Sequence, residues 1–235
     1  MRRVLVTRPE PGATETARRV EALGFAPVVL PLSATRDLPV DIVTLPEDAD
    51  AVAATSANAL RHAPPALLAG LAAKPCYAVG GKTAAAVRQA GFAQVIEGPG
   101  DAAGLAELMA RELGGADSVV YLCGRVRLPG FERRLAATGM IVAAVETYDT
   151  IETDAISGND FTSPVDIALL HSALGAQALM KVALLPAFRD LFADTIFLCL
   201  SQRIAAVPAE RGFTKIGIAA EPTEQALLFL LAEQG

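Results

Sequence analysis

The sequence predicts an α/β protein of two similar lobes, each built around a parallel sheet of the flavodoxin or Rossmann type. Three observations predict this fold class. Short apolar runs alternate with helix-length segments, which indicates βαβ units. The same succession of elements occurs twice along the 235 residues. Hydrophobic residues make up 52% of the chain, and Trp is absent, which is typical of buried parallel strands under Ala-rich helices.

The chain begins with a predicted strand, turn and helix. Residues 4–7 form a short apolar run, and the turn-rich stretch 8–12 closes it. Thr14 is the predicted cap of a helix that runs to about Leu23, and Gly24 is its C-terminal stop. A strand followed by a helix is the first half of a βαβ unit.

Further strands are predicted from apolar runs at intervals that leave room for helices between them. They are the runs 26–32, 50–54, 77–79, 118–122 and 142–145. Pro39 and Pro46 mark an extended connection after the first of these runs. Helices are predicted to begin directly after the second and third runs, and the later of these two helices ends near Gly91. The alternation indicates a parallel sheet.

The order of elements in the first half of the chain returns in the second half. The matching residues are Val4 with Val119, Gly24 with Gly139, Asp50 with Asp166, Ser56 with Ser172, Lys82 with Arg203, Gly91 with Gly212 and Asp101 with Thr223. Asp101 and Thr223 are both candidate helix N-caps. Because the matches keep one consistent order, the chain is interpreted as two copies of one α/β pattern.

Loop lengths indicate which parts of the two copies share a lobe. The loop 114–117 between the copies is short enough for an ordinary helix-to-strand connection, so the elements on either side of it are predicted to lie in one sheet. The connections 33–49 and 149–164 are longer and more polar, and these are expected to cross between lobes. The predicted lobes are residues 42–148, and residues 1–36 together with 153–235. The alternative, in which each copy forms its own lobe, stays open.

Composition and charge exclude several classes of function. The formal charge of −6 argues against non-specific nucleic-acid binding, which needs clustered cations. No apolar run reaches the roughly 18 residues of a membrane span. Met1 to Arg3 lead directly into a strand, so no signal peptide and a cytoplasmic location are expected. Cys76, Cys123 and Cys199 have no CxxC spacing and are expected to pack in the core.

Hydroxyl-bearing, glycine and basic residues follow the predicted strands. In open parallel sheets, ligands bind at the turns after the strands, where helix N-termini present their backbone amides. The candidate binding residues are Thr7, Arg8, Thr55, Ser56, Asn58, Gly80, Gly81, Lys82, Thr83, Gly124, Arg125, Ser172, Ser201 and Arg203. None of them is a carboxylate, so the predicted ligand is an anion held by amides, hydroxyls and a few cations. Plain helix caps and solvated charges are the alternative interpretation.

Conventional catalytic motifs are missing from the sequence. The run 80–83 lacks the upstream glycine of a P-loop, and the run 98–100 is not a dinucleotide fingerprint. His62 and His171 have no partners at metal-ligand spacing, so no metal site is predicted, and His62 is expected on the surface. Tyr148 is the candidate catalytic residue, because a phenol at a strand end can act as a weak acid. A packing role for Tyr148 at the hinge is the alternative.

Several segments, taken in order, resemble the uroporphyrinogen-III synthase family. They are Val6-Thr7-Arg8-Pro9, Ala54 to Ala59, Tyr77 to Ala84, Gly124-Arg125, Leu135 to Gly139 leading to Glu146-Thr147-Tyr148, and Ala220 to Leu227. Each segment is a weak motif alone. Their order and the internal repeat make the resemblance specific, and it spans almost the whole chain.

This resemblance implies a fold, a reaction and a set of partners. The fold has two lobes joined by a two-stranded linker, here 37–41 and 149–152, with one lobe built from both chain ends. The reaction closes hydroxymethylbilane to uroporphyrinogen III, with loss of water and inversion of the last ring, and needs no metal or organic cofactor. The product lies between the lobes, held largely by backbone amides, and Tyr148 matches the tyrosine suggested as proton donor.

The resemblance also implies a small tetrapyrrole substrate and a monomeric enzyme, and leaves open a transient contact with the upstream enzyme that forms hydroxymethylbilane. Ser201 stands where the family has a glycine, and Ile204 stands where it has a hydroxyl. Arg203 is expected to supply the anion affinity of that turn. Two other functions are kept beside the synthase: a non-catalytic two-lobe protein that binds an anionic metabolite, and a sugar-nucleotide transferase.

Overall fold

The structure of the chain is a computed structural model that describes residues 1–41, 46, 48–115, 117–153 and 163–235. The chain divides into two compact units. One unit consists of Met1–Ala34 and Ile151–Gly235, and the other consists of Thr35–Thr150.

Strands and helices alternate along most of the chain. The strands are β1 (Arg3–Val6), β2 (Ala26–Val29), β3 (Ser33–Asp37), β4 (Ala51–Ala54), β5 (Pro75–Ala78), β6 (Gln94–Glu97), β7 (Ser118–Gly124), β8 (Ile141–Glu152), β9 (Ile167–Leu170), β10 (Ile196–Cys199) and β11 (Ile216–Ile218). The helices are α1 (Gly12–Ala22), α2 (Ala57–Arg61), α3 (Pro65–Leu71), α4 (Gly81–Gln89), α5 (Ala102–Glu112), α6 (Gly130–Ala137), α7 (Ala173–Ala183), α8 (Arg189–Phe192), α9 (Gln202–Ala209) and α10 (Glu224–Ala232).

The first unit, formed by both chain ends, contains a five-stranded parallel sheet in the order β11-β10-β9-β1-β2. Successive residues of β1 face opposite sides of this sheet. Leu5 packs into the core on the side of α7 and α9, whereas Val4 and Val6 pack on the side of α1 and α10. All three side chains are fully buried. Because helices cover both faces, the strands are apolar throughout.

The second unit, residues 35–150, contains most of a six-stranded sheet in the order β3-β8-β7-β4-β5-β6. The pairs from β8 to β6 are parallel. The edge strand β3 runs antiparallel to β8, because Leu38 N–H bonds to Thr147 O and Thr153 N–H bonds to Leu32 O. The chain passes from one unit to the other within both of these strands.

The two sheets have the same topology once the repeat is taken into account. The order β11-β10-β9-β1-β2 corresponds, strand for strand, to β6-β5-β4-β7-β8. Each sheet therefore combines the first strands of one copy with the later strands of the other copy. The predicted α/β fold class, with two lobes built on mostly parallel sheets, is confirmed.

Helix caps follow the repeat as well. The side chains of Ser56 and Ser172 cap α2 and α7, and those of Asp101 and Thr223 cap α5 and α10, as predicted for the last two. The predicted cap at Thr14 is wrong. Helix α1 already begins at Gly12, and the Thr14 N–H and hydroxyl both donate to the carboxylate of Glu10, at 3.0 and 2.8 Å.

Two strands differ from their predicted extent. The extended connection after residue 32 contains the edge strand β3, which no apolar run indicated; the linker strand that the resemblance implied, 37–41, overlaps it only at Asp37. Strand β8 continues to Glu152, well beyond the predicted end at Val145. Tyr148 therefore lies within β8 and does not close it.

Candidate functional site

In the first unit, the predicted site residues lie at one edge of the sheet. Thr7 and Arg8 follow β1, Ser172 follows β9, and Ser201 follows β10, and these three strands are parallel neighbours. Thr7 is buried, and the Ser172 hydroxyl accepts a hydrogen bond from the Gly175 N–H at 3.0 Å. Ser172 therefore has a structural role as the cap of α7, which is the alternative interpretation made from the sequence.

Arg8 is already paired with a carboxylate. Its guanidinium lies 3.2 Å from Glu224 Oε1, and Thr16 Oγ1 donates to the same oxygen at 2.5 Å. Arg19 donates to the other oxygen of Glu224 at 2.9 Å. The Glu224 side chain is 13% exposed. The sequence did not indicate this partner, because Glu224 lies at the opposite end of the chain from Arg8.

His171, at the same edge, holds a neutral imidazole. Both ring nitrogens are buried and have no hydrogen-bond partner among the described residues. Burial and, to a smaller extent, the nearby charge of Arg8 lower the pKa of His171 to about 4, although Glu224 acts in the opposite direction. The residue is therefore uncharged at neutral pH.

In the second unit, three turns carry the remaining predicted residues. Thr55, Ser56 and Asn58 follow β4, Gly80 to Thr83 follow β5, and Gly124 and Arg125 follow or end β7. Strands β7, β4 and β5 are adjacent and parallel, so the three turns lie side by side.

The polar groups of the first of these turns are bonded to neighbouring residues. The Thr55 hydroxyl lies 2.6 Å from the phenol oxygen of Tyr121. Ser56 caps α2 by accepting from the Asn58 N–H, and the Asn58 side chain accepts from Arg61 at 2.9 Å. These contacts fix the turn after β4.

The helices α4 and α9 occupy equivalent positions in the repeat, and both begin without a side-chain cap and carry a basic residue in the first turn. Gly80 and Ser201 occupy the two N-cap positions, and within the described chain neither provides a capping hydrogen bond. Lys82 and Arg203 lie in the first turns. The backbone N–H groups in the first turn of a helix have no acceptor within the helix, so they can donate hydrogen bonds to an anion that also contacts the adjacent cation. Of the predicted cations, Arg203 is exposed and forms no ion pair among the described residues.

Tyr148 lies against the end of β7. A Cβ atom placed on Gly124 would lie 2.6 Å from Tyr148 Cζ and 2.9 Å from its hydroxyl, so the ring occupies the space that a side chain at this position would need. Arg125 N–H donates to Tyr148 O at 2.8 Å, which fixes the backbone beside the bulge between Cys123 and Gly124. On the other side, the ring of His62 stacks on Tyr148, with centroids 5.5 Å apart.

His62 is not the surface residue that the sequence predicted. Its side chain is 18% exposed. Nδ1 lies 2.5 Å from Asp37 Oδ1, and Nε2 lies 2.9 Å from Thr35 Oγ1. The prediction was wrong because both partners lie in β3, which is distant from His62 in the sequence and is not marked by an apolar run.

The cations after β7 are neutralised by carboxylates from other elements. Arg125 contacts Glu146 at 3.0 Å and Asp149 at 3.5 Å, and Arg127 contacts Glu132 and Glu146 at 2.9 Å each. The Arg127 and Arg125 guanidinium groups lower the pKa of Glu146, and the hydrogen bond to Glu132 raises the pKa of Arg127. The turns contain no carboxylate in sequence, but the fold brings carboxylates to them. Arg125 is therefore tied to β8 and is a weaker candidate for ligand binding than predicted.

The cysteines and the possible metal ligands add nothing reactive to these edges. Cys76, Cys123 and Cys199 are buried free thiols, and burial raises the pKa of each to about 12. Within the described residues, no cluster of three or more His, Cys, Asp or Glu side chains could hold a metal ion. No described helix is both long and apolar enough to cross a membrane.

Comparisons with known proteins agree with this arrangement. The chain superposes on a uroporphyrinogen-III synthetase from Helicobacter pylori with a TM-score of 0.67 at 19% identity, over 100% of both chains. It superposes on a mutant uroporphyrinogen III synthase from Thermus thermophilus with a TM-score of 0.55 at 20% identity, over 100% of this chain and 99% of that one. These likenesses show a shared fold. No curated protein matches the sequence significantly. The family model for uroporphyrinogen-III synthase HemD matches residues 14–228, and the chain therefore belongs to the uroporphyrinogen-III synthase family, cyclising lyases of tetrapyrrole biosynthesis.

Proposed function

We propose that this chain closes the linear tetrapyrrole hydroxymethylbilane to uroporphyrinogen III, with loss of water and inversion of the last pyrrole ring. The observation that carries the proposal is the family match across residues 14–228. The arrangement of Tyr148 between Gly124 and His62 supports it, because a phenol held in one orientation suits a reaction that needs one weak acid.

The substrate is recognised through its acidic side groups. Hydroxymethylbilane carries acetate and propionate groups, and the uncapped first turns of α4 and α9 offer amides beside Lys82 and Arg203. The proposed binding turns of the first unit follow β1, β9 and β10, and those of the second unit follow β4, β5 and β7. The proposed binding residues are Thr7, Arg8, Thr55, Ser56, Asn58, Gly80, Gly81, Lys82, Thr83, Gly124, Arg125, Ser172, Ser201 and Arg203. Arg203 is ranked above Arg8 and Arg125, whose charges are already paired.

The reaction begins with loss of the hydroxyl group. Tyr148 donates a proton to the leaving hydroxyl, which departs as water, and the electrons of the pyrrole stabilise the resulting azafulvene cation. The substituted carbon of the last ring attacks this cation and forms a spiro intermediate. The bond between this carbon and its original methylene bridge then breaks, which leaves a second azafulvene cation on the neighbouring ring. The unsubstituted α-carbon of the last ring attacks that methylene and releases its proton, so that the ring is inverted and only water is lost overall.

Orientation of the bilane is the main contribution of the protein to this reaction. The chemistry is driven by the pyrrole electrons, and a flexible chain of four rings must bring one particular carbon to the electrophile first. Rigid turns with amide and hydroxyl donors can hold the bilane in the required orientation, and this does not need a conventional set of catalytic residues. The unreactive thiols and the neutral His171 are compatible with it.

The test is to incubate the protein with hydroxymethylbilane, oxidise the products and separate the type I and type III isomers. The type I isomer forms spontaneously, so a sample without protein gives the baseline. Production of type III isomer is the expected result. Type I alone, together with tight binding of a small acid, would instead indicate a non-catalytic binding protein.

We also propose that the protein is a monomer of the cytoplasm, and that residues 37–41 and 149–152 link lobes of residues 1–36 with 153–235 and of residues 42–148. The pairing of β3 with β8 supports this assignment of the linker. Hydroxymethylbilane closes spontaneously to the wrong isomer, so a transient contact with the enzyme that forms it would be useful. Light scattering tests the oligomeric state. An isotope-dilution experiment with both enzymes tests direct transfer.

A further inference from the structure

The ring of Tyr148 is held from two sides within the second unit. On one side lies Gly124, which leaves the space that the phenol occupies. On the other side lies the ring of His62, with centroids 5.5 Å apart and an angle of 26° between the planes. The backbone below the ring is fixed by Thr147, whose hydroxyl donates to Ala59 O at 2.9 Å. The stacked His62 ring therefore helps to fix the orientation of the phenol, together with the core of the unit against which Tyr148 packs.

His62 is itself held by two hydrogen bonds. Asp37 contacts Nδ1 at 2.5 Å, and Thr35 contacts Nε2 at 2.9 Å. A carboxylate only accepts, so Nδ1 carries a proton, and the Thr35 hydroxyl donates to Nε2 when the ring is neutral. With both nitrogens bonded, the plane of the imidazole is fixed relative to β3. A histidine used only to fill space would not need both contacts.

The same contacts connect three elements of the fold. His62 is the C-cap residue of the short helix α2, Asp37 and Thr35 belong to β3, and Tyr148 belongs to β8. Asp37 is 81% exposed and is not part of a core that would place it by packing. The pairing of β3 with β8 places its backbone, and the hydrogen bond to His62 orients its side chain.

We propose that His62 is a positioning residue for Tyr148, oriented by Asp37 and Thr35, and that it keeps the phenol in the geometry needed for proton donation. This inference rests on the proposed function. Aromatic pairs of this kind contribute enough energy to change an equilibrium between ring orientations by about threefold to tenfold. We expect loss of the His62 ring to lower the rate constant kcat by a factor in this range.

The kinetic test is a double-mutant cycle. His62→Ala is expected to lower kcat for type III product about threefold to tenfold, with little change in KM, because it affects the acid and not the binding turns. In a Tyr148→Phe background, the same change should cost much less, since no phenol remains to be oriented. A structural role alone would give equal losses in both backgrounds, and that result would overturn the proposal.

His62→Phe separates stacking from hydrogen bonding. It keeps a ring against Tyr148 but lacks both nitrogens, so its kcat should lie between those of the wild-type protein and His62→Ala. A kcat below that of His62→Ala would contradict the proposal. Arg88 is an exposed residue in the same unit. Arg88→Ala is therefore the matched control for the general effect of truncating a side chain, and it should leave kcat unchanged.

A spectroscopic test keeps this inference distinct from the proposed function. The chain has 3 tyrosines and no Trp, so ring-labelled tyrosine gives few NMR signals, and Tyr148→Phe assigns the relevant one. His62→Ala should move this signal, because it removes the ring current of the imidazole, whereas Arg88→Ala should not. If the wild-type protein forms only type I product, the proposed function fails. An unmoved Tyr148 signal in His62→Ala overturns the positioning role, whatever the activity.

Discussion

Arg8 and Glu224 come from opposite ends of the chain and form an ion pair of 3.2 Å in the first unit. Arg8 follows β1, and Glu224 is the first residue of α10. Thr16 and Arg19 of α1 bind the same carboxylate. Glu224 therefore connects the turn after β1 with α1 and α10. It also neutralises Arg8, which the sequence predicted to bind the ligand.

Glu224→Gln is expected to lower the free energy of unfolding by about 1–2 kcal/mol. The carboxylate is only 13% exposed and binds two guanidinium groups, but both arginines remain partly in solvent, which reduces the loss. Urea unfolding measures the change. Asp194→Asn is the control, because Asp194 pairs with Lys215 at a fully exposed site and its loss should be undetectable. Equal losses of unfolding free energy in the two variants would show that the contacts of Glu224 stabilise the fold no more than an exposed ion pair does.

Tyr148→Phe should lower kcat by about a hundredfold and still leave measurable type III product. General acid catalysis typically contributes at least this factor, but orientation of the bilane should carry most of the acceleration. Product analysis with hydroxymethylbilane measures it. Tyr77→Phe is the matched control, since the Tyr77 hydroxyl donates to Glu112 at 3.1 Å, away from the turns. A folded but wholly inactive Tyr148→Phe protein would mean that proton donation by Tyr148 contributes more to the rate than orientation of the bilane does.

Gly124→Ala should displace the Tyr148 ring. The added Cβ atom would lie 2.6 Å from Tyr148 Cζ, a distance that real contacts do not show, so the ring or the strand must move. Overpacking of this kind costs about 1–3 kcal/mol of stability, and kcat should fall with it. Gly130→Ala is the control, because a Cβ atom there meets nothing within 4 Å. Thermal unfolding and the type III assay should both distinguish the two variants, and unchanged activity in Gly124→Ala would exclude a fixed Tyr148.

Local patterns in the sequence were enough to predict β1, β2, β4, β5, β7 and the start of β8, several of the helices, and the repeat. The apolar runs of β1, β4 and β5 and the caps at Asp101 and Thr223 depend on neighbouring residues, so they can be recognised one segment at a time. The matching order of such segments indicated the repeat, which the equal topology of the two sheets reflects.

Contacts between distant polar residues could not be predicted in the same way. Glu224 meets Arg8, and Asp37 meets His62, only because the sheets bring these segments together, and neither pair follows from spacing. The residues of β3 form no apolar run, so nothing in the sequence indicated that this strand contacts His62. The turns themselves contain no carboxylate in the sequence, but β8 and α6 supply Glu146 and Glu132 to them.

Arg203→Ala should raise KM for hydroxymethylbilane more than Arg125→Ala does. Arg203 is exposed in the uncapped first turn of α9, whereas Arg125 already contacts Glu146 and Asp149. A cation that is paired in the free protein contributes less to ligand binding, because the existing contact must first be replaced. Steady-state kinetics should show an increase of about tenfold or more for Arg203→Ala, which corresponds to the loss of one hydrogen bond to a charged group. A larger effect from Arg125→Ala would reverse this ranking.

His171 should make stability depend on pH between about pH 4 and pH 6.5. Burial lowers its pKa to about 4 in the folded chain, whereas an unfolded histidine titrates near 6.5. Within this window the unfolded chain binds a proton that the folded chain does not, so the contribution is full above pH 6.5 and is lost as the pH falls towards 4. The expected loss between pH 7 and pH 5 is about 2 kcal/mol. His171→Phe keeps a ring and removes the titration, so the difference in unfolding free energy between the variant and the wild-type protein should change by this amount across the two pH values. Parallel curves for the two proteins would show that His171 is not buried in its neutral form.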